Sequence, residues 1–286
     1  MTTKYICKTF LLSATALFFA SCTPETVDDN GNGLTQGSVD ASFKVSKTAE
    51  NRYRLTTNAN NYITTKWNID DEGYNIGKNI QDIFLPDKGT YVIQHQAYGI
   101  GGTLAGTASQ TITVPADDPV AGNIIQGGRF DSPDDVSKWT VHTISASGAQ
   151  WIMGNGTGVA TIVANGGSQQ AIYQPVNVVA GQKYAIDMVA SSNSALVDTW
   201  FEVYMLNSLP PAGQDVSGKV YRNINTWDGC GKSAFKGRVS SIGCNGDKNG
   251  GIYTATTTGT VYLVIKCGGT TVNGLSIDKV ELRRTQ

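Results

Sequence analysis

The sequence predicts an all-β protein, and three observations carry that expectation. Glycine makes up 33 of the 286 residues, well above its usual share of about 7%. Apolar and polar residues alternate over short stretches bounded by turn residues, which is the period of a half-buried strand. Runs with the helical period are scarce. The length allows one or two domains, each able to bury a core.

Residues 1–21 have the build of an export signal. Lys4 and Lys8 supply a positive start, Phe10 to Ala20 form an apolar run too short to span a bilayer, and Phe19-Ala-Ser-Cys22 closes it. The pattern resembles a bacterial lipoprotein signal, which implies that Cys22 is lipidated and becomes the first residue; Phe19 stands where that motif usually carries leucine. An ordinary secretory signal is the alternative. No later stretch reaches 18 apolar residues, so nothing else in the sequence has the length of a membrane-crossing helix. Removing the signal takes two of the 22 basic residues and none of the 23 acidic ones, leaving a formal charge of −3. Such a balance holds no basic patch for a phosphate backbone, and nucleic acid is not an expected partner.

Residues 22–38 hold almost nothing apolar and several chain breakers, the composition of a flexible tether. Glu25, Asp28 and Asp29 soon after the cysteine resemble the surface-export tag of lipoproteins shown on the outer face of the outer membrane; a merely solvated linker has the same composition.

Residues 39–115 show strand patterns at 41–45, 53–57, 63–69, 89–98 and 109–114, enough for a β-sandwich. Trp67-Asn-Ile-Asp70, Gly89-Thr-Tyr-Val-Ile93 and Thr111-Ile-Thr-Val114 together resemble the polycystic-kidney-disease (PKD) type of immunoglobulin-like domain, although Ile69 replaces a phenylalanine and the following Gly-Asp-Gly is missing. The resemblance implies a spacer domain with Trp67 in its core. His95, inside a strand, is expected to be structural.

Pro115-Ala-Asp-Asp-Pro119 opens a breaker-rich linker, 116–122. The rest, 123–286, begins Asn123-Ile-Ile-Gln-Gly-Gly-Arg-Phe-Asp131 and ends Gly274-Leu-Ser-Ile-Asp-Lys-Val-Glu-Leu282. These ends resemble the β-jelly-roll carbohydrate-binding modules of families 4 and 22. That implies a second sandwich, a core place for Trp139, and a candidate structural calcium site at Asp131 and Asp278, whose oxygens suit that ion. An ordinary pair of surface carboxylates is the alternative. No other cofactor is called for.

The candidate site lies around Asp198-Thr-Trp-Phe-Glu-Val-Tyr-Met-Leu206. With the strand period, Phe201, Val203 and Met205 point into a core, while Trp200, Glu202 and Tyr204 share the other face. Two aromatics flanking a carboxylate suit a pyranose, whose apolar face stacks on a ring while its hydroxyls need an acceptor. A strand buried on both faces has the same pattern. Some forty residues follow with no sustained alternation, apart from a patterned piece at 220–224, and loops of that length are usually functional. Trp227, in a polar Gly-rich turn, is expected to be the strongest contact; Trp151, flanked by glycines, is a third stacking candidate against the alternative of edge packing. Of the cysteines outside the signal and Cys22, Cys230 and Cys244 can pair and hold Trp227, with Cys230–Cys267 competing.

His95 and His142 lie in different domains, which leaves no Ser-His-Asp or Cys-His set. A glycosidase would pair Glu202 with Asp187, Asp198 or Asp228 across the scissile bond; the expectation is a binder and not an enzyme. The whole resembles the surface glycan-binding lipoproteins of bacterial polysaccharide-utilisation systems, which implies a β-glucan ligand (β-1,3 or mixed-linkage) and an outer-membrane transporter as partner. An adhesin or structural surface protein is the runner-up, and an apolar patch without polar acceptors would favour it.

Overall fold

A computed structural model describes residues 37–244 and 250–285. Residues 1–36, with the signal, Cys22 and most of the tether, lie outside it. The described chain is all-β, as the composition predicts. Its N-terminal part packs two sheets face to face. One joins β1 (Phe43–Ala49), β2 (Arg52–Thr57) and β5 (Ile80–Phe84); the other runs β4 (Asn75–Ile76), β3 (Thr64–Ile69), β6 (Gly89–Tyr98), β7 (Leu104–Val114). The short β4 and β5, with Gly and Asn between them, escaped the sequence reading. Phe43, Leu55, Trp67, Tyr91, Ile93 and Ile112 fill the space between the sheets, as alternation along each strand requires. Trp67 is there, its ring edge-on to Phe43 and stacked on His95 with centroids 4.3 Å apart. His95 is fully buried and structural, its Nδ1 at 2.6 Å from the Ala41 carbonyl and its Nε2 at 2.5 Å from Thr65 Oγ1.

The C-terminal part is a curled sandwich of the jelly-roll kind. It comprises α1 (Pro133–Ser137), β8 (Thr140–Thr143), β9 (Ala149–Ile152), β10 (Ala160–Val178), β11 (Lys183–Ser192), β12 (Val197–Leu206), β13 (Val220–Asn225), β14 (Phe235–Arg238), α2 (Val239–Ile242), β15 (Ile252–Thr254) and β16 (Gly259–Arg284). The long strand β10 pairs along its length with residues 259–277 of β16, and both strands pass from one layer to the other. Their first and second halves therefore belong to different layers. One layer runs β13-β12-β16-β10-β8; the other sets β14 and β15 on β11, then β16, β10 and β9. The corner on β10 falls at Gly166-Gly167, both with positive φ (60° and 81°), where the pairing register breaks. Only glycine takes that geometry without strain, and a bulge there bends the strand out of one layer into the next. Between the layers lies one core that includes Ile162, Ile172, Ile186, Met188, Phe201, Val203, Ile224, Ile265 and Ile277.

Two sequence expectations change here. The stretch after Leu206 is not a forty-residue loop, since β13, β14 and α2 lie within it and β13 extends the sheet beside β12. Trp151 is not on a rim. It is 5% exposed in the main core, its indole N–H donating to the Gln170 carbonyl, because β9 pairs with β10 and turns that side chain inward. Trp139 is likewise in the core, against Phe130, as expected.

Candidate functional site

β12 sets the site. Phe201, Val203 and Met205 point into the core, which leaves Trp200 and Glu202 on the outer face of the layer. Opposite Trp200 stand Asn225 on β13 and Gly268 on β16; opposite Glu202 stand Asn223 and Lys266. A side chain at Gly268 would put its Cβ 2.7 Å from Trp200 Cζ2 and 2.6 Å from the Ser168 carbonyl. Glycine at this strand position is what lets the indole lie across β16. There the Trp200 N–H donates to Gln169 Oε1 on β10 at 2.9 Å, which fixes both side chains.

Trp227 sits over this floor. Its ring centroid is 6.2 Å from that of Trp200 with 28° between the planes, and the residue is 60% exposed. The turn that carries it is tied down on three sides. Thr226 exchanges hydrogen bonds with Thr199 of β12 through its backbone N–H and its Oγ1. Asn225 accepts the Trp227 N–H on its side chain at 2.9 Å, an Asx turn that preorganises the bend. A disulfide joins Cys230 to Cys244, and the Asn225 N–H faces both sulfurs. Cys267 is the free thiol, fully buried, so the competing pairing is not formed.

The rest of the outer face is not open, and Tyr204 is therefore not a stacking surface. It is 3% exposed beneath residues 207–219, whose Val216 is fully buried against Tyr204, Ala171 and Val264. The segment is strapped to the sheet by the Gly213 N–H on the Thr143 carbonyl, by His142 Nε2 at 3.1 Å from the Gln214 carbonyl, and by the Lys266 ammonium on the Val216 carbonyl. Glu202 is not a free acceptor either. Its Oε2 takes the Tyr204 hydroxyl at 2.5 Å and the Lys266 ammonium at 3.0 Å. Burial, helped by the Glu202 charge, raises the Tyr204 phenol above its ordinary pKa, so it stays a donor. Among the described residues, the Oδ1 of Asn223, beside this network and 9% exposed, has no partner.

Gln169, Asn223, Asn225 and Gly268 were missed from the sequence. Cys267-Gly-Gly269 inside a strand pattern was the available sign, since an interior glycine marks a close approach. Nothing local marks Gln169, which cross-strand register alone brings under Trp200.

Burial raises the pKa of both Asp131 and Asp278, and Asp278, with the Asp131 charge nearby, is pushed up to about 6. Arg129 and Lys279 set positive charge beside both. No group of three or more His, Cys, Asp or Glu side chains that could hold a metal occurs among the described residues. A cluster in which Asp131 and Asp278 stand with Asp70 and Asp135, but also with Arg129 and Lys279, holds its own counter-ions and does not fit calcium, which draws on six to eight oxygens. Arg129 and Lys279 also line a polar cleft of about 550 Å³ between the two parts of the chain, together with Asp70, Asp87, Tyr91 and Arg283. The charges of that cleft are already spent on one another.

No protein-family model matches the chain, and no curated protein matches it. Among solved structures, the chain is similar to a carbohydrate-binding module of the β-sandwich superfamily, at 11% identity and a TM-score of 0.30, over 85% of this chain and 97% of that one. It is similar to a family 4 carbohydrate-binding module at 16% identity and a TM-score of 0.36, over 56% and 99%. A SusE-like protein is similar at 8% identity and a TM-score of 0.29, over 87% and 100%. Every one of these TM-scores is below 0.5, a level at which likeness says nothing of function.

Proposed function

We propose that this chain binds a neutral polysaccharide, first of all a β-glucan, at the Trp200–Trp227 pair, and that it does so as a lipid-anchored protein of the outer-membrane surface that captures chains for an outer-membrane transporter. The observation that carries the reading is Trp227: a large indole, 60% exposed, held rigidly in water by a fastened turn and backed by a second indole. An aromatic face kept open in this way suits the apolar face of a sugar ring. The amides of Gln169 and Asn225 beside it supply the polar partners that a sugar needs and a purely apolar adhesin patch lacks. Glu202 and Lys266 neutralise one another, which favours an uncharged ligand over a uronate or sulfated chain. The same pairing argues for a binder over a hydrolase, because a catalytic carboxylate must be free to exchange a proton or attack.

Affinity electrophoresis against a panel of soluble polysaccharides tests this. Retardation by at least one β-glucan, without release of reducing ends, is expected. No retardation by any polysaccharide would sink the binding proposal, and release of reducing ends would turn it into an enzyme. Cell fractionation of Cys22→Ala tests the anchor, since that protein should leave the membrane. Protease added to intact cells should cut the wild type.

A further inference from the structure

The two ends of the N-terminal sandwich differ in chemistry. Strand β6 starts beside Asp87 and Lys88, where the C-terminal sandwich docks, and its ten residues carry it about 33 Å away to Tyr98. At that far end three large aliphatic residues stand in water: Ile63 is 63% exposed, Ile100 49% and Leu104 51%. All three flank the end of β6. The Ile63 N–H bonds the Tyr98 carbonyl, Leu104 pairs with Tyr98 across β7, and Ile100 lies in the connecting turn closed by the Gly99 N–H on the Thr103 carbonyl. Single exposed aliphatic residues need no explanation, but three at one loop cluster do. At the same end the Lys66 ammonium lies over the Tyr98 ring, 4.6 Å from its centroid. A phenol and a cation beside aliphatic side chains is the combination that sits at the boundary between headgroups and acyl chains.

The chain itself says which surface this end faces. Val39 bonds the Ala105 carbonyl, next to Leu104, so the preceding tether leaves the domain from this end. A polar, Gly-containing tether from residue 22 to 36 has a typical span of only about 20–25 Å. A lipid on Cys22 would therefore hold this end within reach of the bilayer. We propose that Ile63, Ile100 and Leu104 form a lipid-contacting tip on which the molecule stands, with Tyr98 and Lys66 at its rim. The proposal rests on the lipid-anchored reading for its occupant, and the test below does not need the anchor.

A chain starting at residue 22 with Cys22→Ser removes the anchor, and it leaves intact the buried clusters, all of whose residues lie at or beyond Val39. A polarity-sensitive fluorophore is attached at Thr103→Cys, or at Thr113→Cys toward the opposite end of β7, the remaining thiol Cys267 being fully buried. Vesicles of phosphatidylethanolamine and phosphatidylglycerol are then titrated in. A saturable blue shift at position 103 and none at 113 is expected, and Ile63→Ser/Ile100→Ser/Leu104→Ser should abolish it while the melting temperature holds. No shift at 103, or equal shifts at both positions, overturns the tip. A shift that grows with protein concentration without vesicles also overturns it, assigning the surface to a second copy. Cys22→Ala combined with Ile63→Ser/Ile100→Ser/Leu104→Ser removes both contacts and should leave the membrane; its retention there would sink the anchor and leave the vesicle result standing by itself.

Discussion

Trp227 keeps an indole in water because its turn has nowhere to fold it: Thr226 is clamped to Thr199, and the disulfide begins at Cys230, just past the turn. Trp227→Ala should therefore weaken glycan binding by about ten- to a hundredfold, the loss of one aromatic anchor worth roughly 1–3 kcal/mol, with little change in melting temperature. Trp151→Ala should do the reverse. That side chain is in the core, and its removal should cost about 3–5 kcal/mol of stability. Titration calorimetry and thermal melts of the two variants in parallel separate contact from core. Gly268→Ala is a subtler probe, because a methyl there must push Trp200 off β16. Affinity should fall although no contact residue is changed, and a Gly268→Ala protein with wild-type affinity would mean that Trp200 does not support the site. His95 shows a different residue-scale effect. It is buried with its neutral ring satisfied, and burial lowers its pKa below 6.5. The unfolded chain takes a proton that the fold resists, so this contribution is fully present above about pH 6.5 and is lost as pH falls below it. Melting temperature should drop between pH 7 and 5, and His95→Gln should flatten that dependence.

At the scale of elements, the site is made by one strand and two connections. The Cys230–Cys244 bridge closes a 14-residue separation, for which a chain-entropy estimate is about 3 kcal/mol. The double variant Cys230→Ser/Cys244→Ser should lose stability of that order, and it should also lose affinity because the Trp227 turn is freed. Denaturant unfolding and binding measured on one preparation check both. The second connection, 207–219, works in the opposite sense. By burying Val216 on Tyr204 it withholds that part of the sheet face from any ligand and confines the open aromatic surface to the β12–β13 edge. Lys266 is the peg for this strap. It is 5% exposed, between Glu202 and Asp215, where its charge is tolerable only because both carboxylates answer it.

At the scale of the whole molecule, the two sandwiches meet through charges sorted by sign. The N-terminal part gives carboxylates, Asp70, Asp71 and Glu72 on one turn and Asp87 on another; the C-terminal part answers with Arg129, Lys279, Lys236, Arg238 and Arg283. Asp70 and Asp71 hold positive φ values of 55° and 61°, a bend acidic residues tolerate better than most. Lys236–Asp71 is highly exposed and contributes little, whereas Lys279–Asp70 and Arg283–Asp87 are largely shielded. Calorimetry of the wild type should show one cooperative transition. Asp70→Ala/Glu72→Ala/Asp87→Ala should split it in two, since the sandwiches have separate cores and these carboxylates carry the shielded pairs between them; a single transition in that variant would show that these charges do not couple the domains.

The core places of Trp67 and Trp139 were implied by family resemblance, whereas local pattern alone determined a good deal: the all-β class, the inward set Phe201, Val203 and Met205, and the exposure of Trp227. Each depends on strand period or turn chemistry, which are properties of neighbours in sequence. What the outer face became was decided by partners far along the chain. Tyr204 has the same outward phase as Trp200, yet residues 207–219 fold back over one and not the other. Glu202 lost its role as a free acceptor to Lys266, 64 positions away, and Trp200 found Gln169 only because β10 and β12 both flank β16. Trp151 carries glycines on both sides as a rim residue would, but pairing of β9 with β10 turned it inward. Strand period fixes which way a side chain points; only the packing of distant segments fixes whether water or protein meets it there.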